Sequence, residues 1–149
     1  MLPDPATPYG EAVRRRLREE RAVWLTTVNS SGVPQPNPVW FVWEEDEGDP
    51  WGDGSFLIYH LGTAARRTTL SERPAVALHF DGSGSLEVMV FTGEVEILKD
   101  APLAHEVPEY AAKYAEMVAF VTKGAESLPD FMAKYSIASR IRPTKVRGF

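Results

Sequence analysis

The stretch VPQPNPVWFVWE, residues 33–44, limits the fold more than any other part of the chain. Its apolar half reads as a β-strand, yet prolines stand at 34, 36 and 38. Alternate residues of a strand point their N–H groups to the same side. The three prolines therefore remove every donor from one edge, while Gln35 and Asn37 can still pair across the other. Such a strand belongs at the edge of a sheet or at a bulge. The open edge leads straight into Val39, Trp40 and Phe41. Two uses fit it: protection against pairing with other chains, or acceptance of a flat, polar-rimmed ring beside large apolar side chains.

The remaining elements are short. Thr7 followed by Pro8 is a helix start, a hydroxyl cap before a proline at the first helical position. That helix is expected to run to about Glu20, with Val13 and Leu17 facing inward and its arginines facing solvent. AVWLTTVN at 22–29 is a strand, and Ser30-Ser31-Gly32 turns it into 33–44 as its hairpin partner. The acidic, Gly-containing stretch 45–54 reads as an exposed loop. Further strands are expected at 55–60, 75–80, 86–98 and 137–146, with a turn at 81–85. Short helices are expected at 64–71 and 128–135, and a longer one at 108–120 with Tyr110, Tyr114, Met117 and Val118 on one stripe. Six strands in hairpin succession predict a mainly β protein, an antiparallel barrel or meander. At 149 residues the chain is expected to be one domain, with 1–7 as a loose tail.

Several classes of function are disfavoured. There is no cysteine, which removes disulfides, thiolate metal sites and cysteine nucleophiles. A formal net charge of −5 argues against a general nucleic-acid binder. No stretch is long and apolar enough to suggest a membrane span. The first residues lack the apolar run of a signal peptide, so a cytoplasmic protein is expected. Neither a dinucleotide-binding glycine pattern nor a P-loop is present. His60, His79 and His105 lack metal-like spacing, and His60 and His79 read as satisfied strand histidines. With no acid–base pair in view, any redox chemistry is expected to come from a bound cofactor.

The stretch YHLGTAARRTTLSERPAVALHF, residues 59–80, offers a place for one. Thr63 can cap a helix from Ala64, which puts Arg66 and Arg67 in the first turn. Cations there oppose the helix dipole by about 0.3–1 kcal/mol each. Free N–H groups, a threonine hydroxyl and a guanidinium together suit a phosphate. The alternative is that both arginines are solvated or paired with an acid such as Glu72. Two charge-assisted contacts at roughly 1.5–3 kcal/mol each fall short of the ~8 kcal/mol of micromolar binding, so a second surface is needed. The tail offers Phe131, Tyr135, Arg140, Arg142 and Lys145, with IASRIRPTKV alternating apolar and basic positions. That strand either faces solvent or turns Arg140 or Arg142 towards an anionic ligand.

Taken in order, WLTTVNSSGVPQPNPVWFVWE, FLIYHLGTAARRTTLSERPAVALHFDG, VFTGEVEI and YSIASRIRPTKVRGF resemble the pyridoxamine 5′-phosphate oxidase-like split-barrel superfamily. The resemblance covers about 10–149 and is nearest to its actinobacterial branch that uses the deazaflavin F420. It implies a six-stranded antiparallel split β-barrel and a homodimer with two cofactor sites at the interface. It implies that Pro38, Val39 and Trp40 lie along the cofactor ring and that Tyr59, Thr63, Arg66 and Arg67 hold its phosphate and side chain. Arg66 stands eight residues before Pro74, the spacing usual in the family. Arg140 is implied as a contact from the C-terminal strand to the partner's cofactor. The implied activity is hydride transfer between F420 and a small unsaturated or conjugated substrate. FMN fits the same layout, and related barrels act as non-catalytic flavin or haem carriers. The sequence departs from the family at Leu61, where a polar or basic residue is common. The extra basic residues of true pyridoxamine 5′-phosphate oxidases are not matched, so vitamin B6 synthesis is not implied.

Overall fold

A computed structural model describes residues 2–48, 53–82 and 87–149. The elements are α1 (Pro8–Glu19), β1 (Val23–Val28), β2 (Pro34–Val39), β3 (Val42–Glu45), β4 (Gly54–His60), α2 (Ala64–Glu72), β5 (Ala75–His79), β6 (Met89–Ile97), α3 (Pro108–Val121), α4 (Leu128–Met132) and β7 (Ile137–Gly148). The seven strands form one antiparallel sheet in the order β2-β1-β5-β6-β7-β4-β3. The proline run occupies an edge, pairing only with β1. Parts of the expected 45–54 loop, the 81–85 turn and the start of the 86–98 strand lie outside the described residues.

The strand count is seven rather than six, because 33–44 is not one strand. It breaks at Trp40 and Phe41 into β2 and β3, which lie at opposite edges of the sheet. Three Cα–Cα steps of about 3.8 Å separate Val39 from Val42, at most about 11 Å. Seven flat strands at about 4.8 Å spacing would put their edges about 29 Å apart. The sheet therefore curls until its edges meet, and the two-residue break is the seam of a split barrel.

Phe41 is fully buried at this seam. Its backbone cannot pair as a strand there, so side chains of α3 take over. The Phe41 N–H donates to the Tyr114 hydroxyl oxygen at 2.8 Å. That hydroxyl lies 2.7 Å from the Phe41 carbonyl and 2.8 Å from the Arg21 carbonyl. It has one proton, so it fully serves one of them. Lys113 Nζ donates to the Phe41 carbonyl at 2.8 Å and covers the other case.

Two cores result. The first fills the barrel with Leu25, Phe41, Phe56, Ile58, Leu78, Phe91 and Ile141, closed by Val13 and Leu17 of α1. The second lies outside β4, where Leu57 and Tyr59 pack against Tyr110, Tyr114 and Val118 of α3 and Met132 of α4. Strand β4 lies between the two cores and is buried at all seven positions, whereas β1 is fully buried only at alternate ones. Residues 2–7 are not a loose tail. Leu2 is buried in the barrel core, its N–H donates to Asp53, and Arg14 holds the Pro3 carbonyl. The apolar side chain at position 2 is what fastens it, a signal that the neighbouring prolines masked.

Tyr114→Phe leaves the buried Phe41 N–H without its acceptor. The expected loss is about 1–3 kcal/mol of stability, read as a lower urea midpoint with an unchanged m-value.

Candidate functional site

The site forms where β4 runs into α2. Gly62 allows the turn to press against the segment after α4: a Cβ there would lie 2.1 Å from Ser136 Oγ. The Gly62 N–H donates to the Lys134 carbonyl at 3.1 Å. Thr63 caps α2, its hydroxyl oxygen accepting the Arg66 N–H at 3.1 Å. No acid stands in the first turn of α2. Glu72 at the far end pairs with Arg73, not with Arg66 or Arg67.

A cavity of about 400 Å³ opens beside this turn. Pro38, Val39, Trp40, Tyr59, Thr63 and Arg66 all line it. So six of the eight residues singled out in the sequence meet in one place. Arg67 does not join them. It lines a neighbouring recess with Lys99 and Asp100, on the other side of Tyr59. Arg140 does not line the cavity either, and its guanidinium lies 3.6 Å from Glu44. Arg142 is likewise paired, with Asp46.

The aromatic wall is continuous. Trp40 stacks on Tyr114 with ring centres 4.6 Å apart and planes within 1°, and on Phe131 at 5.8 Å. Phe131 in turn packs on Tyr135 at 5.6 Å. The sequence pointed to Phe131 and Tyr135 as part of the tail. It did not point to His60, Tyr110 or Met132 as cavity residues. For Tyr110 the available signal was a hydroxyl-bearing residue on the buried stripe of a helix.

His60 has a definite role in the geometry. An Arg66 guanidinium N–H donates to His60 Nδ1 at 3.3 Å. Arginine has no acceptor, so Nδ1 carries the lone pair and the proton sits on Nε2. Nε2 then donates to Ser139 Oγ at 2.7 Å, and Ser139 donates to the Ile58 carbonyl at 3.3 Å. Burial, with a smaller push from the Arg66 charge, lowers the His60 pKa to about 3. The relay is therefore neutral and fixes one face of the guanidinium. Burial also lowers the pKa of Arg66 itself, so its charge is held at a desolvation cost.

The family model described as pyridoxamine 5′-phosphate oxidase matches residues 9–144. The chain belongs to the pyridoxamine 5′-phosphate oxidase family. Solved structures agree on the fold. A protein titled F420 reductase superposes with a TM-score of 0.64 at 23% identity, covering 90% of this chain and 94% of that one. A FAD-binding protein from Mesorhizobium loti gives 0.59 at 16%, covering 93% and 91%. HutZ, the haem storage protein from Vibrio cholerae, gives 0.54 at 16%, covering 93% and 92%. No curated protein matches the sequence. No helix among the described residues is long and apolar enough to cross a membrane.

The neutral relay has a measurable consequence. An unfolded histidine takes up its proton near pH 6.5, whereas folded His60 resists down to about 3. The stability this group contributes is complete above pH 6.5 and is lost as pH falls towards 3, at a slope approaching about 1.4 kcal/mol per unit. His60→Gln is expected to lack that slope. Urea unfolding of both proteins from pH 7 to pH 4.5 should show their difference changing with pH in this sense; a constant difference refutes it.

Proposed function

We propose that this family member is an oxidoreductase using F420, which passes a hydride between the deazaflavin and a small unsaturated or conjugated substrate. One observation carries the reading. A half-buried arginine with no carboxylate partner among the described residues stands at a capped helix N-terminus, on a cavity shared with Pro38, Val39 and Trp40. The residues fit such a group. A cavity of this volume lies in the range of ligand sites, and an anion at Arg66 offsets the desolvation of its charge.

The bound cofactor supplies the hydride chemistry. The chain's own residues bind and orient. Arg66 and the α2 N-terminus take the phosphate, with Thr63 shaping the turn and Tyr59 forming the wall. Arg67 is placed to meet whatever part of the cofactor reaches the second recess. Pro38, Val39 and Trp40 form the ring side, and orientation on that wall is the chain's main contribution to rate.

FMN is the second reading for the same residues, and the FAD-binding relative supports a flavin. A carrier role is supported by the haem storage relative. Haem ligation through His60 is disfavoured, because both ring nitrogens are already engaged.

The reading includes a homodimer. The outer face of β1, β5 and β6 presents Trp24, Thr26, Ala77, His79, Val90 and Thr92, half-exposed and without formal charge. Pro38 lies opposite Trp24, so this face borders the cavity. A second copy seated there would cover the open side of each site. The role proposed for Arg140 depends on that second copy.

Fluorescence titration of the cofactor-free protein with F420 and with FMN tests the cofactor. F420 is expected to bind more tightly than FMN, and Arg66→Ala to weaken binding by about 10- to 100-fold. Binding of neither refutes the reading. Reoxidation of bound reduced cofactor by added enones or quinones separates an enzyme from a carrier, which holds it unchanged. For the dimer, Ala77→Arg is expected to convert the sedimentation coefficient from dimer to monomer with the fold intact by circular dichroism.

A further inference from the structure

Three tyrosines are buried around the second core, Tyr59, Tyr110 and Tyr114. Buried hydroxyls normally find a partner. The Tyr59 hydroxyl donates to the Pro102 carbonyl at 2.6 Å. The Tyr114 hydroxyl is engaged at the seam. Tyr110 as a whole residue is only 2% exposed, while its hydroxyl makes no hydrogen bond among the described residues and is not one of the fully buried polar atoms left without a partner, so it keeps a small opening to solvent. The Tyr110 ring lines the cavity. It cannot swing to find a partner, being held edge-on by Tyr59 at 5.1 Å and against Tyr114 at 4.8 Å.

We propose that the Tyr110 hydroxyl donates a hydrogen bond to a carbonyl or ring-nitrogen acceptor of the ligand held in the cavity, and so selects for ligands that carry one there. The inference rests on the functional reading above and adds a residue to it. Burial raises the pKa of the phenol far above its ordinary value, so the hydroxyl keeps its proton and remains a donor. The surrounding wall of Trp40, Phe131 and Met132 is apolar and recognises only a ring's faces and edges. Arg66 meets an anion at the α2 end. Tyr110, from α3, meets an uncharged acceptor. The two together discriminate a phosphate-bearing heteroaromatic ring from a phosphate alone.

Tyr110→Phe removes the oxygen and nothing else. With no internal partner to lose, the cofactor-free variant is expected to keep or raise its Tm. Tyr59→Phe, which does lose a partner, is expected to lower it. Titration with F420 and FMN, both of which carry ring carbonyls, is expected to show about a tenfold loss of affinity in Tyr110→Phe for whichever the wild type binds. A fall in Tm comparable to that of Tyr59→Phe overturns the proposal, since the hydroxyl then has a structural partner. Unchanged affinity in a binding-competent protein overturns it while leaving the functional reading intact. Failure of the wild type to bind either cofactor overturns the functional reading and this inference with it.

Discussion

The fold depends on the seam at Trp40 and Phe41. A sheet whose two edge strands are joined by two residues has no choice but to close, and closing buries a stretch of backbone outside any ladder. Buried backbone groups must be paired. The Tyr114 hydroxyl and the Lys113 ammonium meet that demand from more than 70 residues away. The arrangement is costly for Lys113, whose pKa burial pushes down to about 8. Its position over the Phe41 ring, 3.9 Å from the centroid, returns part of that cost. Helix α3, which packs outside β4, is thus held to the seam by polar contacts as well as by packing.

The same helix builds the site. Tyr110 and Tyr114 are four residues apart on α3 and share a face. Tyr114 fixes the seam and stacks on Trp40, while Tyr110, one turn earlier, reaches the cavity. Trp40 belongs to the break and to the cavity wall at once. Barrel closure and cavity shape are therefore one event. A change that loosens the seam also shifts the wall on which a ring would lie.

Much of this was legible from residue types, and the failures have a physical pattern. The prolines at 34, 36 and 38 announced an edge because a missing donor is a local property. Thr63 announced its helix because capping is local too. The break at Trp40 was not legible: aromatic and β-branched residues continue through it, and what ends the strand is a partner far along the chain. Nor was the separation of Arg66 from Arg67. Adjacent helical residues point about 100° apart, and only the packing of the β4–α2 turn on Ser136 decides which one faces the cavity. Arg140 shows the same limit, since strand alternation gives its face but not the Glu44 beside it.

An acidic protein holding a cation in a cavity poses a problem of sign, and the structure resolves it by where the acids go. Glu44 is beside Arg140, Asp46 holds Arg142, and Glu72 holds Arg73. Among the described residues no acid is ion-paired with Arg66, whose described side-chain partner is a neutral imidazole. A carboxylate in that position would fix the guanidinium equally well but would cancel its charge. Neutral His60, itself anchored through Ser139 to the backbone of β4, fixes orientation and leaves the charge available. Burial makes that charge expensive to maintain, and an anion entering the cavity removes the expense. The net charge of −5 and a local anion site are therefore compatible, because the field at the cavity is set by a few pairings and not by the total.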